Sequence, residues 1–426
     1  MMKRNKSLSP VPSSSDCLKK SKLENIKDNE LSAIHILDFS DDLLLYILKY
    51  LTPQDLRSLS LCCQRLYQIT QDRTLWKYAD FRTMPMSLED LRNYVRFFQP
   101  VTESIAIRGN LASKCAAKVN KDFISTIKTR CKQIKELVIE ECWINGSEVQ
   151  ITDFPSSIER LSFEGCDIAI NDLVKSYFFK MDLHMQNLTC LILSYCQWFS
   201  PHSLLVISKL PKLKELRLNS CRQLNECVAY ASLATRFGFK SLEILDIRDT
   251  MIGDSEVSCF TSTKTLKHLY LEGPSSPLNS SSSLQHTEQV DHPELFNPVY
   301  DDHILQQFIV DVHPRVSRCN FITDRAIYVI ANDSCDRRVI NSVQGILLLE
   351  EDKRVVSTLR LKTLVVRNYP RITNKSLFHL AKNASSLEYL DVTATSVTRN
   401  GIQEFKSQRP DVTLVTSYDK TNKMPK

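Results

Sequence analysis

Glycine is scarce in this chain, eight residues in 426, and no glycine-rich phosphate loop can be assembled from so few. The nine histidines are scattered, without an HExxH pair or a Ser/His/Asp context. Nucleotide-driven and hydrolytic chemistry therefore lack their usual signatures, and no catalytic, cofactor-binding or metal-binding residue is expected. No uncharged apolar stretch approaches the roughly 18 residues of a membrane span. The opening MMKRNKSLSPVPSSSD has no apolar core of a secretory signal. The expectation is a soluble chain, cytoplasmic and/or nuclear, with no membrane partner. Fourteen cysteines are present, yet none forms a CxxC, and Cys62-Cys63 is only an adjacent pair. Reduced thiols are the default reading for an intracellular chain. Basic residues exceed acidic ones by 55 to 49, a net +6, but residues 1–30 alone carry seven Lys/Arg against four Asp/Glu. Half of the excess thus sits in a tail, which leaves the rest without the basic field that a nucleic-acid partner requires.

What is present falls into distinct parts. Residues 1–34 are polar and rich in Ser, Lys, Asn and Asp, and are expected to be a disordered basic tail. Lys3-Arg4 and Lys19-Lys20-Ser21-Lys22 have the look of a two-part import signal, but the long spacer favours a plain solvated tail. A helical unit is expected over 35–82. Its first helix follows Ser40 as N-cap, with Asp41 and Asp42 in the first turn, where the helix dipole favours negative charge. On a helical wheel Leu44, Ile47, Leu48 and Leu51 share one arc of about 100° and are expected to face the core. Leu43, Tyr46 and Tyr50 extend the apolar surface to roughly 200°, leaving only Leu45 and Lys49 outside. Such a helix needs cover from two directions. Thr52-Pro53-Gln54-Asp55 starts a second helix with a hydroxyl cap, a proline in the first turn and an acid three residues on. A third short segment brings in Trp76 and Phe81, and 83–100 reads as a linker helix. A unit of about 45 residues is marginal alone and should lean on a neighbour.

The run FSDDLLLYILKYLTPQDLRSLSLCCQRLYQITQDRTLWKYADF resembles an F-box along the motif's whole length, with Phe39-Ser40 where that motif places Leu-Pro. The resemblance implies docking onto a Skp-type adaptor and, through it, onto a cullin-RING ubiquitin ligase. Phe39, Ser40, Leu43, Tyr46, Ile47, Tyr50, Pro53 and Leu56 are the adaptor-binding candidates it suggests.

From residue 101 to 417 an L-x-L-x-x-C unit recurs: ELVIEEC, RLSFEGC, CLILSYC and ELRLNSC end at Cys142, Cys166, Cys196 and Cys221. It continues as ILDIRDT, HLYLEG, TLVVRNY and YLDVTAT. The first leucines stand at 137, 161, 191, 216, 245, 269, 364 and 390. Spacings of this size, with a strand-like step followed by an amphipathic helix, predict a leucine-rich repeat: an α/β solenoid, or horseshoe, with a parallel sheet on its concave face. ESIAIRGN and DVTLVTS read as its first and closing strands. The four cysteines are expected to pack in a ladder behind strands about 4.8 Å apart. A low-complexity insertion over about 274–312 interrupts the array, and a second interruption falls near 333–358. One degenerate repeat around Cys319-Asn320-Phe321-Ile322 is expected between the first insertion and Leu364. Residues 418–426 read as a tail.

An F-box followed by such repeats resembles the F-box/leucine-rich-repeat receptors, which implies a substrate receptor of an SCF-type ligase that binds a target protein for ubiquitination and proteasomal degradation. The competing reading is a repeat scaffold or inhibitor acting outside a ligase. Residues that point outward from the sheet, or lie on its rim, are the target-binding candidates: Glu140, Glu164, Ser194, Tyr195, Trp198, Arg217, Asn219, Arg248, Tyr270 and Arg367. Their mixed charge suits a protein surface better than a nucleic-acid backbone. Trp143 and Trp198 lie in loops after strands; the choice is between rim anchors and burial under the next repeat, with burial favoured for Trp143.

Overall fold

The computed structural model describes residues 35–111, 118–169, 176–225, 227–274, 322–332, 338–343, 346–351 and 360–418. The expectations for 1–34, for most of the 274–312 insertion and for Cys319 to Phe321 lie outside these residues.

Three short helices open the described chain: α1 (Asp41–Leu48), α2 (Pro53–Ser60) and α3 (Gln64–Thr70). Ser40 caps α1, its hydroxyl accepting from the Leu43 N–H at 3.4 Å. Thr52 and Asp55 cap α2 reciprocally, each side chain accepting from the other's backbone N–H. The third segment is a 3-10 turn, Arg73–Trp76, rather than a helix, followed by a strand, Tyr78–Asp80. Trp76 is fully buried; its ring stacks on Phe97 at 4.0 Å and its N–H donates to the Thr70 carbonyl at 2.8 Å. The 83–100 segment holds a short helix, Leu88–Arg92, and a 3-10 turn, Val95–Phe97, in place of one linker helix. Leu91, Tyr94, Phe97 and Phe98 fill the space between the helical unit and the sheet. One core therefore runs through both, and a unit too small to stand alone is held by its neighbour.

The rest of the described chain is an α/β region built on an eleven-stranded sheet. Every pairing in it is parallel, and the strands lie side by side in chain order from Tyr78–Asp80 to Thr413–Val415. Register is set by the leucines: Leu137, Leu161, Leu191, Leu216, Leu245, Leu269, Leu364 and Leu390 align one above the next, all fully buried. A slip of one residue would turn this whole row to solvent. The strand Tyr78–Asp80, which pairs with Ser104–Arg108, carries no leucine signature and lies inside the segment read as F-box. A second, three-stranded parallel sheet joins Lys118–Val119, Trp143–Asn145 and Asp167–Ala169 where loops were expected.

A backbone device ends the strands. Glu141, Tyr195, Ser220, Asp249, Asn368 and Ala394 all have φ between 50° and 62°, and Gly165 has 64°. Each stands one residue before the repeat's Cys, Thr or Tyr. Left-handed geometry costs a non-glycine residue about 1 kcal/mol or more. It is held by a hydrogen bond to the next coil: Glu141 N–H to Glu164, Gly165 to Ser194, Tyr195 to Asn219, Ser220 to Arg248, all at 2.8–2.9 Å. The chain thereby turns under the sheet, and the following cysteine enters the core. Cys166, Cys196 and Cys221 each donate S–H to a carbonyl of the preceding coil, those of Ile139, Phe163 and Leu193, at 3.0–3.1 Å. Burial pushes the Cys142 and Cys221 thiols up to about 12.

The expected degenerate repeat after the first insertion is corrected by the pairing. His268–Glu272 pairs directly with Thr363–Arg367, so no further strand lies between them. The helix Asp324–Asn332 instead supplies the missing outer half of the coil that begins at His268, and packs between Asp254–Thr261 and Asn374–Asn383. Asp254 accepts from the Thr323 N–H and hydroxyl at 2.8 and 2.6 Å; Asp324 does the same for Thr373 at 2.8 and 2.7 Å. Asn374 continues the series to Thr398. Both interruptions thus leave a single coil, one before its helix and one after it. The second includes an antiparallel hairpin, Arg338–Val343 with Ile346–Glu351.

Asp324 also accepts from Ser376 at 2.5 Å. Burial works against its charge, but the hydrogen bonds from Ser376 and Thr373 prevail and hold the carboxyl below its ordinary range. A depressed folded-state pKa contributes stability above the ordinary carboxylate range that is lost as pH falls through the folded value. Asp324→Ala is expected to destabilise the fold by about 2 kcal/mol at neutral pH. In urea titrations the difference from wild type should shrink as pH falls below the ordinary carboxylate range.

Candidate docking surfaces

Helix α1 buries Leu44 and Leu48 completely and Leu45 in part, the last packed on the core. Its opposite side is open. Leu43 is 42% exposed, Tyr46 57%, Ile47 38% and Tyr50 71%. The buried face is rotated by roughly 40° from the one expected, towards Leu45. Ile47, read as both core and adaptor candidate, belongs to the open side. The cause is where α3 meets α1, which a helical wheel cannot supply. Tyr46 and Tyr50 meet edge to face at 6.0 Å, and the Lys49 ammonium lies 3.8 Å from the Tyr46 ring centre. The Tyr50 phenol is held below its usual range by its hydrogen bond with Tyr46 and by the Lys49 charge. Two exposed rings are thus pre-ordered beside Leu43 and Ile47 on one arc of about 100°. Burying such an arc against a partner gains roughly 25 cal/mol per Å² of apolar area.

Two adaptor candidates are corrected. Pro53 and Leu56 are buried inside the helical unit and support the face without being part of it. Phe39 is half-buried on the core, and Ser40 is exposed but occupied as a cap.

The entry Phe39-Ser40 has a clamp that no local pattern signalled. Arg65, from α3, donates to the carbonyls of Leu37 and Phe39 and, at 2.7 Å, to the Asp41 carboxylate. One guanidinium therefore fixes the approach to α1 without a proline ring. Its partners lie 24 to 28 residues away in sequence.

The other open surface is the sheet face opposite the leucines. Ser162, Ile192, Arg217, Asp246, Tyr270 and Val365 align across its middle, where Ser162, Ile192, Asp246 and Val365 are buried among their neighbours and Arg217 and Tyr270 are half-buried. Glu140, Glu164, Asn219, Arg248, Tyr270 and Arg367 are half-buried there, and Tyr195 is 54% exposed at the strand ends. Two target-binding candidates are corrected. Ser194 is buried, and its hydroxyl donates to Asn219 Oδ1 at 2.5 Å. Trp198 is only half-exposed: its ring lies on Phe178 and edge-on to Tyr177, and its N–H donates to the Cys166 carbonyl at 2.9 Å. Its indole is thus part of the coil packing. Trp143 is half-buried on the small side sheet, with the Lys118 ammonium 5.4 Å from its ring.

The arginines expected to read a target are committed to neighbours. Arg217 meets Glu215 at 2.5 Å, Arg248 meets Asp246 at 2.6 Å, and Arg367 meets Asp391. Asp246 and Asp391 are themselves buried. These pairs cross strands or stand two residues apart on one face, so the signal was the alternation D-x-R and E-x-R, which the repeat pattern masks.

Residues 41–82 match the model of the F-box-like family. The match begins at Asp41, just past Phe39-Ser40, and spans the three helices, the Trp76 turn and the strand Tyr78–Asp80. The helical unit is thus F-box-like, a kind of domain that typically binds Skp-type adaptors. No curated protein matches the chain.

Two outcomes follow from this geometry. Arg65→Ala should lower stability by about 1–2 kcal/mol, because two backbone carbonyls lose a charged donor, and melting curves check it. In native protein a maleimide should label exposed Cys62 within minutes while Cys142, Cys166, Cys196 and Cys221 react only on unfolding, as read by peptide mass mapping.

Proposed function

We propose that this chain is the substrate-recognition subunit of an SCF-type ubiquitin ligase, with no chemistry of its own. The F-box-like unit docks a Skp-type adaptor through Leu43, Tyr46, Ile47 and Tyr50, and so joins a cullin-RING assembly. The α/β region is a leucine-rich-repeat solenoid whose open sheet face holds a protein target for ubiquitination and proteasomal degradation. Such a receptor acts by proximity, raising the effective concentration of a target lysine near a ubiquitin-charged enzyme that other subunits bring. It works in the cytoplasm, the nucleus or both.

The observation that carries this reading is the open apolar arc of Leu43, Tyr46 and Ile47 on α1 with Tyr50 in the turn just past its end, all uncovered and all within the F-box-like match. Apolar side chains scattered singly on a surface need no partner; four on one arc do. The register of Leu137 to Leu390 along one parallel sheet in chain order supports the solenoid reading.

Co-purification of the full chain with a Skp-type adaptor tests it. Wild type should retain adaptor at near-stoichiometric levels. Leu43→Glu and Tyr46→Glu, both at exposed positions, should each weaken retention by about tenfold or more while leaving the melting temperature nearly unchanged. Full retention by both folded variants, or none by wild type, sinks the ligase reading and leaves the scaffold reading standing.

A further inference from the structure

The chain as a whole is positive, but its open sheet face is not. Among the described residues six arginines reach that face or its edge, and each has a carboxylate partner. Arg82 meets Asp80 at 2.7 Å and Glu140 at 3.0 Å; Arg108 meets Glu141 at 2.6 Å; Arg160 meets Glu136 at 3.1 Å and Glu215 at 3.6 Å. Arg217, Arg248 and Arg367 are held as described above. Two of their partners, Asp246 and Asp391, are buried. An incoming phosphate that drew Arg248 or Arg367 away would leave a buried carboxylate unpaired, which costs several kcal/mol. His268 adds no cation at neutral pH, since burial and the nearby Lys267 and Lys362 pull its imidazole below the usual range.

Carboxylates, by contrast, are left over. Glu164, Asp249 and Glu272 stand at the strand ends of this face, and none is in an ion pair among the described residues. Asp249 accepts from the Ser220 hydroxyl at 2.8 Å and Glu272 from the Asn368 amide at 3.0 Å. Glu164 is half-buried between Glu140 and Ser194. Burial, followed by the charge of Glu140, raises its carboxyl above the ordinary range. A cation placed against it would relieve both effects. Tyr195, on the adjoining coil, offers an exposed ring at the same edge, a surface on which a guanidinium or ammonium can lie.

We propose that the open sheet face receives a target segment that bears lysine or arginine side chains, seated against Glu164 and Glu272, and that it does not read phosphorylated segments. This specificity rests on the reading of the chain as a target receptor. Among the described residues, the guanidiniums that line the face are part of its internal pairing, and the carboxylates outside that pairing are what it offers a partner.

The probe is an array of degenerate peptides with lysine, arginine, glutamate or phosphoserine fixed at the central position, incubated with the purified full chain. Lysine and arginine peptides should be retained above the other two classes, and less so as salt is added. Glu164→Gln combined with Glu272→Gln, with each single exchange in parallel, should reduce that retention by about tenfold or more. Neither carboxylate anchors an ion pair among the described residues, so melting temperatures should match wild type. Stronger retention of phosphoserine or glutamate peptides overturns the proposal, as does absence of any preference or an unchanged double variant. Adaptor retention is measured on the same preparations. Its loss alongside an intact preference for basic peptides rejects the ligase reading and leaves this specificity in place, whereas the reverse result rejects only the specificity.

Discussion

The structure depends on one constraint: no coil of the sheet region can bury its own leucines. Leu137, Leu161, Leu191 and their successors become inaccessible only because the next coil is laid over them in register. Each strand's polar groups are satisfied in the same way, by the strand before and the strand after. Stability is therefore a property of neighbours, approximately a sum of coil and interface contributions. The ends are where neighbours run out. At the amino end, the strand Tyr78–Asp80 pairs with Ser104–Arg108 and the aromatic cluster around Trp76 and Phe97 joins the same core, so the helical unit covers that end of the sheet.

The same constraint explains how the array carries its interruptions. Loop closure costs grow slowly with length, so a long excursion between strand and helix is tolerated provided the coil resumes in place. The threonine and carboxylate series from Asp254 through Thr323 and Asp324 to Thr373 ensures that resumption. It also shows why an extra repeat was expected where there is none. Ile322, Thr323 and Asp324 have the local pattern of a step that follows a strand, and the strand they follow is His268–Glu272, some fifty residues earlier.

Charge follows a parallel logic. An arginine that points from a strand finds carboxylates two residues along or one strand across, and a pair with a buried member such as Asp391 becomes part of the scaffold. Arg217, Arg248 and Arg367 therefore organise the face more than they advertise it. Among the described residues, Glu164 and Glu272 stand outside this pairing. On α1 the remainder is apolar: the core takes Leu44, Leu45 and Leu48, and Leu43, Tyr46, Ile47 and Tyr50 are left outside.

The sequence by itself determined the features whose cause is local. The N-caps at Ser40 and Thr52, the strand-like L-x-L steps, the buried cysteine that follows four of them and the parallel sheet in chain order were all legible, because they depend on residues a few positions apart or on a strict repeat. Tertiary structure alone decided which side of α1 is buried, that Trp198 packs on Phe178, that Pro53 and Leu56 lie inside, and that Arg65 clamps the entry at Phe39. It also decided that the helix Asp324–Asn332 completes a distant strand, and that Arg367 pairs with Asp391 across a strand boundary. Each of these depends on a contact between residues separated by tens of positions or by a strand crossing, and no periodicity in the chain encodes the direction from which that neighbour arrives.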